Sequence, residues 1–412
     1  MKKLISLALV LVLVLAVVCS ASAADLKIGA IMVGDATEGY TLAHIEGIKA
    51  AAAALNIPET NLIWKEKVEE TEDCLNAAKQ LVANGCGLVI SNSYGHQDYM
   101  AEAAESFENV PFVAMTGDYA AITGLDNFYN AFTNIYEARY VSGVVAGMKI
   151  AELVADGKLI DANYDADGNV KVGYVGAYPY AEVVSGYTAF FLGIRSVVEN
   201  VSMEVQYTNS WFDIDMEAAA AEMLMADGCV IIGQHADSTG APTAVEAALA
   251  KGTVAYSVGY NVDMLPVAPT AALVSPTNNW AAYYTELFAA VLNGTEIPAD
   301  WAKGFAADGV AITDLGASCA AGTAEKVAEV IDGLKNGTLK VFDTATFTVG
   351  GETVTTYPVN FSCIDFATGE VIYEGETIDV ISSENGVNFF NESVYRAAPY
   401  FDLRIDGIKE LN

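Results

Sequence analysis

Basic residues are scarce in this chain. Lys and Arg together number 20 against 53 Asp and Glu, which gives a formal net charge of -33 over 412 residues. A surface this acidic repels polyanions, so we expect neither nucleic acid nor an anionic membrane surface as a partner. Histidine is also rare, and no cysteines follow the spacing of a zinc site. The sequence therefore predicts no metal and no other cofactor.

Motifs of common enzyme classes are missing as well. The chain has no Gly-x-Ser-x-Gly nucleophile elbow. It has no Walker loop, so any ATPase must be a separate subunit. His235, Asp237 and Ser238 are the residue types of a hydrolase triad, but they lie in one loop, whereas triad members converge from separate segments. We therefore expect a protein that is not an enzyme and keep a nucleoside hydrolase as a minor alternative.

Residues 1–24 have the features of a secretory signal peptide. Lysines at positions 2 and 3 precede an apolar run at 4–18, and small residues at 20–23 suit cleavage after position 23 or 24. The apolar run is short for a membrane-spanning anchor. We therefore expect an exported protein that works in the periplasm or at the cell surface.

The cysteines leave two questions open. Cys19 offers a point for lipid attachment, although the residue before it is larger than lipoprotein signals prefer. Export permits disulfides, and the five later cysteines allow two at most. The alternatives are buried free thiols or bonds that would join Cys74 to Cys86 and Cys319 to Cys363.

Apolar strands alternate with helices from residue 27 onward, a pattern typical of a parallel sheet covered on both faces. Strand patterns in the first half lie at 27–33, 62–67, 87–91, 111–115 and 127–133. After a long helical pattern at 136–155, the cycle restarts with strand patterns at 171–177, 203–208, 229–233 and 254–259. The sequence therefore predicts two similar α/β halves.

The segment 206–240 carries the most distinctive loops. One predicted strand ends in the polar and aromatic loop 209–213, and the next ends in the loop 234–238. Open parallel sheets bind ligands at the carboxyl ends of their strands. Trp211 and Phe212 are therefore expected to face a flat polar ligand, and the alternative is that they pack in the core beside a turn.

Several stretches taken together resemble the basic membrane protein family, the purine-nucleoside-binding components of ABC importers. They occur in order between Leu26 and Asp343 and include GYTLAH at 39–44, YEARY at 136–140, WFD at 211–213, QHADS at 234–238, GYNVDM at 259–264 and NW at 279–280. The resemblance implies an α/β protein with the type I periplasmic-binding-protein fold. In that fold, two Rossmann-like lobes with parallel sheets surround a hinged cleft, and ligand binding closes the lobes.

This fold implies a division of the chain into discontinuous lobes. The first lobe would comprise 25–140 and about 266–300, and the second 141–265 and about 301–343. The remainder, 344–412, departs from the family and is expected to form a C-terminal antiparallel extension, with short strands at 344–349, 353–359 and 371–374 separated by turn signals.

A purine in the cleft needs flat surfaces for its faces and polar groups for its edge. Aromatic side chains at strand ends that would stack on it are Tyr40, Tyr94 and Trp211. Polar side chains that would bind its edge are Asp35, Asn92, Asn130, His235, Asp237 and Asp263. The matching segments add Phe212, Asn279 and Trp280.

Some of these candidates have structural alternatives. Asp35 and Asp263 have the alternative role of turn or cap residues. His44 lies within a predicted helix and is expected to be structural. Arg139 and Glu137 are expected either to form an ion pair between the lobes or to contact the ligand.

The sugar part of the ligand is left open. In nucleoside-binding members of the family, a Lys that holds the ribose follows the strand after the Gly-x-x-x-Asp loop, and here that region, 274–280, reads VSPTNNW. We therefore favour a free base such as adenine slightly over a nucleoside. The partners would be ABC permease and ATPase subunits, and the binding protein itself a monomer. The alternative is a ligand-binding sensor domain of a membrane receptor, which would have the same fold and cleft.

Asn163, Asp165 and Asp167 are spaced like the first half of a calcium loop. The twelfth position of that loop would be Tyr174 rather than Glu, so the bidentate ligand is missing. A turn that precedes a strand is the favoured interpretation.

Overall fold

The computed structural model describes residues 22–364 and 370–412. Most of the predicted signal peptide, including Cys19, lies outside the described residues. Across the two described ranges, no helix combines the length and the apolar character needed to cross a membrane.

The first lobe alternates short buried strands with helices. Its strands are β1 (Ile28–Ile31), β2 (Leu62–Lys65), β3 (Leu88–Ser91), β4 (Phe112–Met115) and β5 (Phe128–Thr133). Its helices are α1 (Gly39–Ala54), α2 (Glu72–Ala83), α3 (Gln97–Ser106) and α4 (Ala120–Thr123). Every residue of β1, β3 and β4 is buried, as expected for a parallel sheet that helices cover on both faces.

Helix α5 (Ile135–Ala155) leads into the second lobe, where the cycle restarts as predicted. The strands are β6 (Val170–Gly176), β7 (Val201–Tyr207), β8 (Ile231–Gln234), β9 (Tyr256–Val258) and β10 (Ala272–Val274). The helices are α6 (Ala181–Arg195), α7 (Ile214–Ala226) and α8 (Gly240–Ala250). Helix α7 begins where the Asp213 carboxylate accepts a hydrogen bond from the Met216 N–H at 2.9 Å.

The rest of the chain returns to the first lobe and then forms the extension. Its helices are α9 (Trp280–Asn293) and α10 (Thr323–Lys335). Its strands before residue 343 are β11 (Pro276–Asn278), β12 (Asp300–Lys303) and β13 (Val310–Ile312). The extension contains β14 (Pro358–Asn360), β15 (Cys363–Ile364), β16 (Val371–Tyr373), β17 (Thr377–Asp379), β18 (Ile381–Glu384), β19 (Val387–Phe390) and β20 (Ile408–Glu410).

The two large sheets repeat one arrangement. Their strand orders are β12-β5-β4-β3-β1-β2 and β10-β9-β8-β6-β7-β20, and all neighbouring strands are parallel. The order along the chain reverses between β1 and β3 in the first sheet and between β6 and β8 in the second. Such switch points open a crevice at the carboxyl ends of the strands. The loops after these four strands are therefore the place to look for a ligand.

Two strands lie outside the lobes to which the expected ranges assigned them. β10 pairs with β9 in the second sheet, although 266–300 was expected in the first lobe. β12 pairs with β5 through Lys303 in the first sheet, although 301–343 was expected in the second lobe. Across the described residues the chain passes between the sheets three times, from β5 to β6, from β10 to β12 and from β12 to β20.

The extension is antiparallel in part and is joined to the second lobe. β14 pairs with β17, β15 with β16, and β18 with β19, all antiparallel. The strand predicted at 344–349 is wrong, because only Val349 bridges there, to Glu352. β20 pairs in parallel with β7 and covers the edge of the second sheet. Phe342, Phe390 and Phe401 pack into the core of the second lobe, so the extension shares that core.

Helices α5 and α6 pack closely through glycine. A Cβ added at Gly143 on α5 would lie 2.9 Å from the carbonyl carbon of Phe190 and 3.1 Å from the Cα of Gly193 on α6. A side chain would not fit at this crossing. The close approach fixes the relative positions of the two helices, which carry Arg139 and Glu182.

The disulfide alternatives are wrong. The five cysteines within the described residues are not joined in disulfides. Four of them, Cys74, Cys86, Cys229 and Cys363, are buried, and Cys319 is half-buried.

Candidate ligand-binding cleft between the lobes

Loops from the carboxyl ends of both sheets meet at one place. A Cβ added at Gly39, where α1 begins after β1, would lie 3.3 Å from the carbonyl oxygen of Asp237 and 3.5 Å from the side chain of Val262. Asp237 follows β8, and Val262 follows β9. The two lobes are therefore closed on each other around their switch-point loops.

A buried charged and aromatic set forms the second-lobe wall. Arg139 is 1% exposed, and its Nη1 donates a hydrogen bond to the carbonyl oxygen of Gln234 at 2.5 Å. Its guanidinium carbon lies 3.7 Å from the centroid of the Tyr260 ring. His235 is fully buried, and its Nε2 lies 3.2 Å from Oε1 of Glu182. Glu182 is the member that reaches the cleft, since 24% of its side chain is exposed.

Burial controls protonation in this wall. Burial, reinforced by the nearby Arg139 charge, holds the pKa of His235 well below its usual range. The imidazole is therefore neutral at physiological pH and offers one donor and one acceptor. Burial raises the pKa of Glu182 to about 7, against the opposing influence of Arg139. Glu182 can therefore accept or donate a hydrogen bond near neutral pH.

A chain of hydrogen bonds fixes Asp237 from both lobes. Asn261 Nδ2 donates to Asp237 Oδ1 at 2.7 Å, and Asn278 Nδ2 donates to Asn261 Oδ1 at 2.8 Å. Thr133 Oγ1, at the end of β5, donates to Asn278 Oδ1 at 2.5 Å. Burial, followed by the Glu38 carboxylate, raises the pKa of Asp237 well above its usual value. A buried carboxyl group with a raised pKa is stabilised by a ligand that donates hydrogen bonds to it.

Tyr40 forms the first-lobe wall and is supported from behind. Its hydroxyl donates to the carbonyl oxygen of Asn92 at 2.5 Å, and its ring packs edge-on against His44 at 4.6 Å. His44 stacks on Trp280 at 4.4 Å, and its Nδ1 lies 2.6 Å from the Tyr284 hydroxyl. Burial lowers the pKa of His44 to about 3, so this histidine is structural, as expected. Trp280 is 1% exposed and belongs to the support of Tyr40.

Three aromatic rings gather at the second-lobe rim. Trp211 lies 5.5 Å from Tyr178 and 6.3 Å from His235, measured between ring centroids. Tyr178 and Tyr180 stack with centroids 5.2 Å apart. The Asp237 N–H donates to the Trp211 carbonyl oxygen at 2.8 Å, which joins this rim to the carboxylate. The sequence-based site lacks both tyrosines, although they directly follow β6 and the strand-end rule would have included them.

The side chains of Asn92 and Asn130, which were predicted to bind the ligand, form hydrogen bonds within the first lobe instead. Asn92 Oδ1 accepts a hydrogen bond from the Val33 N–H at 2.8 Å. Asn130 Oδ1 accepts from the N–H groups of Tyr119 and Ala120 at 3.0 and 2.7 Å. Both side chains are fully buried. They hold loop backbone in place and are not positioned to bind the edge of a ligand.

The two aspartates with a structural alternative take that alternative. Asp35 Oδ1 accepts a hydrogen bond from the Thr37 N–H at 2.9 Å, which closes a turn. Asp35 also lies 2.6 Å from Lys67 Nζ, and this lysine is the main cause of its lowered pKa. Asp263 is exposed and accepts a hydrogen bond from the Leu265 N–H at 2.9 Å, which closes a turn.

Three further candidates lie outside the buried set, two of them with hydrogen-bond partners elsewhere. Tyr94 donates to Asp118 Oδ2 at 3.1 Å. Asn279 Nδ2 donates to the carbonyl oxygen of Asp308 at 2.7 Å. Phe212 is 38% exposed.

Two remaining predictions are an ion pair between Glu137 and Arg139 and a turn at the calcium-loop candidate. The Glu137–Arg139 ion pair is wrong, since Glu137 Oε2 accepts from the Phe305 N–H at 2.8 Å while Arg139 faces the second lobe. Asp165 closes a turn by accepting hydrogen bonds from the N–H groups of Asp167 and Asn169, both at 2.9 Å. Over residues 22–364 and 370–412, no three His, Cys, Asp or Glu side chains are grouped to hold a metal ion.

Two parallel α/β lobes, three crossovers and a buried polar site between the lobes define the periplasmic-binding-protein class. The fold matches a solved ABC-transporter solute-binding protein from Aeropyrum pernix with a TM-score of 0.64 and 13% identity, over 77% of this chain and 93% of that one.

The chain belongs to the family described as "ABC transporter substrate-binding protein PnrA-like", which matches residues 27–335. A purine-binding protein from Brucella abortus is 34% identical over 66% of this chain and 70% of its own length. A Haloferax volcanii protein that is named for glucose binding in an ABC transporter is 29% identical over 64% of this chain and 60% of its own length. This protein is therefore an ABC-transporter substrate-binding protein and not an enzyme.

Proposed function

We propose that this substrate-binding protein captures a purine in the interlobe cleft, with a free base such as adenine favoured over a nucleoside, and delivers it to an ABC permease. The observation that carries the proposal is the Asp237 carboxyl group, 7% exposed and fixed through Oδ1 alone among its described hydrogen bonds. The second carboxyl oxygen is then available to accept from the exocyclic amine of a purine. The purine-binding relative supports the choice of ligand class.

The aromatic side chains suit the faces of the same ligand. Tyr40 lies on the first-lobe wall, and Trp211 lies on the second-lobe rim beside His235. Stacking on an aromatic side chain contributes about 1–3 kcal/mol per base in nucleic-acid binding proteins. Closed lobes exclude water, which strengthens the hydrogen bonds of the polar edge.

The ligand class is tested by calorimetric titration of residues 25–412 with adenine, adenosine, guanosine, ribose and glucose. We expect saturable binding of adenine with no gain from ribose, because the region 274–280 offers no lysine for the sugar. Glucose is included because one relative is named for it. Binding of glucose with no response to any purine would show that the ligand class is wrong.

Asp237→Asn tests the site, with Asp263→Asn as the matched control. The first change replaces the available carboxyl oxygen by an amide N–H that faces the donor of the ligand. An unsatisfied buried polar group costs about 1–3 kcal/mol, so adenine affinity should fall by roughly fivefold to a hundredfold. Asp263 is exposed and holds only a turn, so its variant should bind as the parent protein does. Equal loss in both variants would refute the assignment of Asp237.

Delivery to a permease is tested separately, by affinity purification of the full-length protein from its own membranes. We propose a monomeric binding protein, so light scattering should give the mass of one chain. Recovery of permease and ATPase subunits supports the importer, whereas recovery of a membrane receptor in their place would favour the sensor alternative.

A further inference from the structure

A second cavity of about 390 Å³ lies where the start of α5, β12 and the extension meet. It lacks the residues of the cleft described above. Its walls include 337–342 and 389–397, beyond the point where the family match ends at residue 335. The extension therefore builds a chamber that the family-matched part of the chain does not form alone.

Three carboxylates line this cavity without a cationic partner in the described parts of the chain: Glu137 on α5, Asp300 on β12 and Glu392 after β19. Each accepts a hydrogen bond from a backbone N–H, at 2.8, 2.9 and 3.1 Å respectively. These bonds orient the carboxylates. Arg396 acts on Asp300 and Glu392 from a distance and opposes the rise that burial causes in their pKa values, but it forms no ion pair with either.

The two cationic residues in the wall are already paired with acids outside it. Lys340 Nζ lies 2.6 Å from Glu384 Oε2, and Arg396 Nη1 lies 3.1 Å from Asp118 Oδ2. Once they are ionised, Glu137, Asp300 and Glu392 together outnumber these two cations in the wall.

Polar atoms without partners point to a missing occupant. Ser393 is 7% exposed and Glu392 is 3% exposed. Ser393 Oγ and Asn134 Oδ1 are buried and make no hydrogen bond with any described residue. Tyr136 and Phe342, with ring centroids 5.3 Å apart, supply an aromatic part of the wall. Acceptors beside aromatic rings suit the N–H groups and positive charge of an ammonium compound.

We propose that this cavity is an accessory binding site for a small organic ammonium compound, held by Glu137, Asp300 and Glu392 against the aromatic wall. A bare metal ion is a poor occupant, since the carboxylates are not grouped as metal ligands. The volume is also more than ten times the share of about 30 Å³ that one water occupies in the liquid. The occupant would touch the first lobe through β12 and the extension through Glu392.

Binding should strengthen as the pH rises. Burial raises the pKa of Asp300 to about 6, of Glu137 to about 7 and of Glu392 to about 8. The groups that face them are Asp118 and Arg396 beside Asp300, and Tyr136, Tyr400 and Arg396 beside Glu392, with the Ser185 hydroxyl also near Glu392. At pH 8.5 most of the carboxylates are ionised, whereas at pH 5.5 most are protonated.

The experiment titrates residues 25–412, without purine, with choline, putrescine and spermidine at pH 8.5 and 5.5, and with neutral 1,4-butanediol as the control ligand. Choline carries a permanent charge, so its pH dependence reports the protein alone. We expect at least one ammonium probe to bind saturably at pH 8.5 and at least tenfold more weakly at pH 5.5. Failure of all three at pH 8.5, or equal binding of butanediol, would overturn the proposal.

Glu137→Gln and Asp300→Asn locate the site. Each should weaken the ammonium probe at least fivefold while adenine binding persists, and Glu352→Gln, an exposed acid in the extension, should change neither. Full retention of ammonium binding in both cavity variants would also overturn the proposal. Circular dichroism checks folding, and if both variants unfold, the probe series on the parent protein decides.

Discussion

Replacing Gly143 with alanine should separate α5 from α6 and weaken the cleft. The new Cβ would lie 2.9 Å from the carbonyl carbon of Phe190 and 3.1 Å from the Cα of Gly193. The new Cβ would also overlap the carbonyl oxygen of Phe190. Because atoms in favourable contact are about 3.5–4.0 Å apart, the helices must move apart by more than about 1 Å. The neighbouring atoms are backbone, and no rotamer change relieves the clash.

The expected magnitude follows from opposing effects. Overpacking of this kind costs about 1–3 kcal/mol. Alanine regains about 1 kcal/mol of helix propensity over glycine. Because the overlap with the Phe190 carbonyl oxygen places the cost at the upper end of this range, we expect a net loss of about 2 kcal/mol in the free energy of unfolding. Adenine affinity should also fall, because α5 carries Arg139 and α6 carries Glu182.

Urea unfolding of the ligand-free protein measures the effect, with Gly333→Ala as the matched control. Gly333 also lies within a helix, but the nearest neighbours of a Cβ there would be side-chain atoms, Leu339 Cβ at 3.2 Å and Thr338 Oγ1 at 3.7 Å. The control should be as stable as the parent or more stable, by up to about 1 kcal/mol. If Gly143→Ala unfolds at the same urea concentration as the control, the reasoning about backbone contact is refuted.

Two further predictions concern conditions rather than residues. Burial raises the pKa values of Glu137, Glu182 and Glu217 to about 7 from 4.5. The folded state then binds more protons than the unfolded chain between about pH 4.5 and 7, so stability from these groups is present below pH 4.5 and lost as the pH rises through 7. Thermal unfolding should show a higher midpoint at pH 5 than at pH 8, and the reverse order would contradict it. A reducing agent should leave the midpoint unchanged because the described cysteines are not joined in disulfides, and a drop would reveal a disulfide.

Strand ends were predictable, but the direction of their side chains was not. Asp237 and Trp211 follow apolar strands in a repeating α/β pattern, and both lie at the meeting of the lobes. Asn92 and Asn130 satisfy the same rule, yet their amides turn inward to hold backbone N–H groups. Whether the side chain of such an Asn binds the loop backbone or a ligand depends on which N–H groups the folded backbone leaves unpaired. Sequence position does not specify those groups, so the same rule produced both outcomes.

The last strand, β20, is a part of the extension that the sequence did not predict, and its pairing shows what the extension does. β20 has three residues, too few for a periodic pattern, and its partner β7 lies about two hundred positions earlier. Glu410 within it accepts hydrogen bonds from the hydroxyls of Tyr187 and Tyr207 at 2.8 and 2.6 Å. Without this strand, β7 would present an unpaired edge and both tyrosines would lose their acceptor. Since the extension also buries Phe390 in the same core, it and the second lobe should unfold as one cooperative unit.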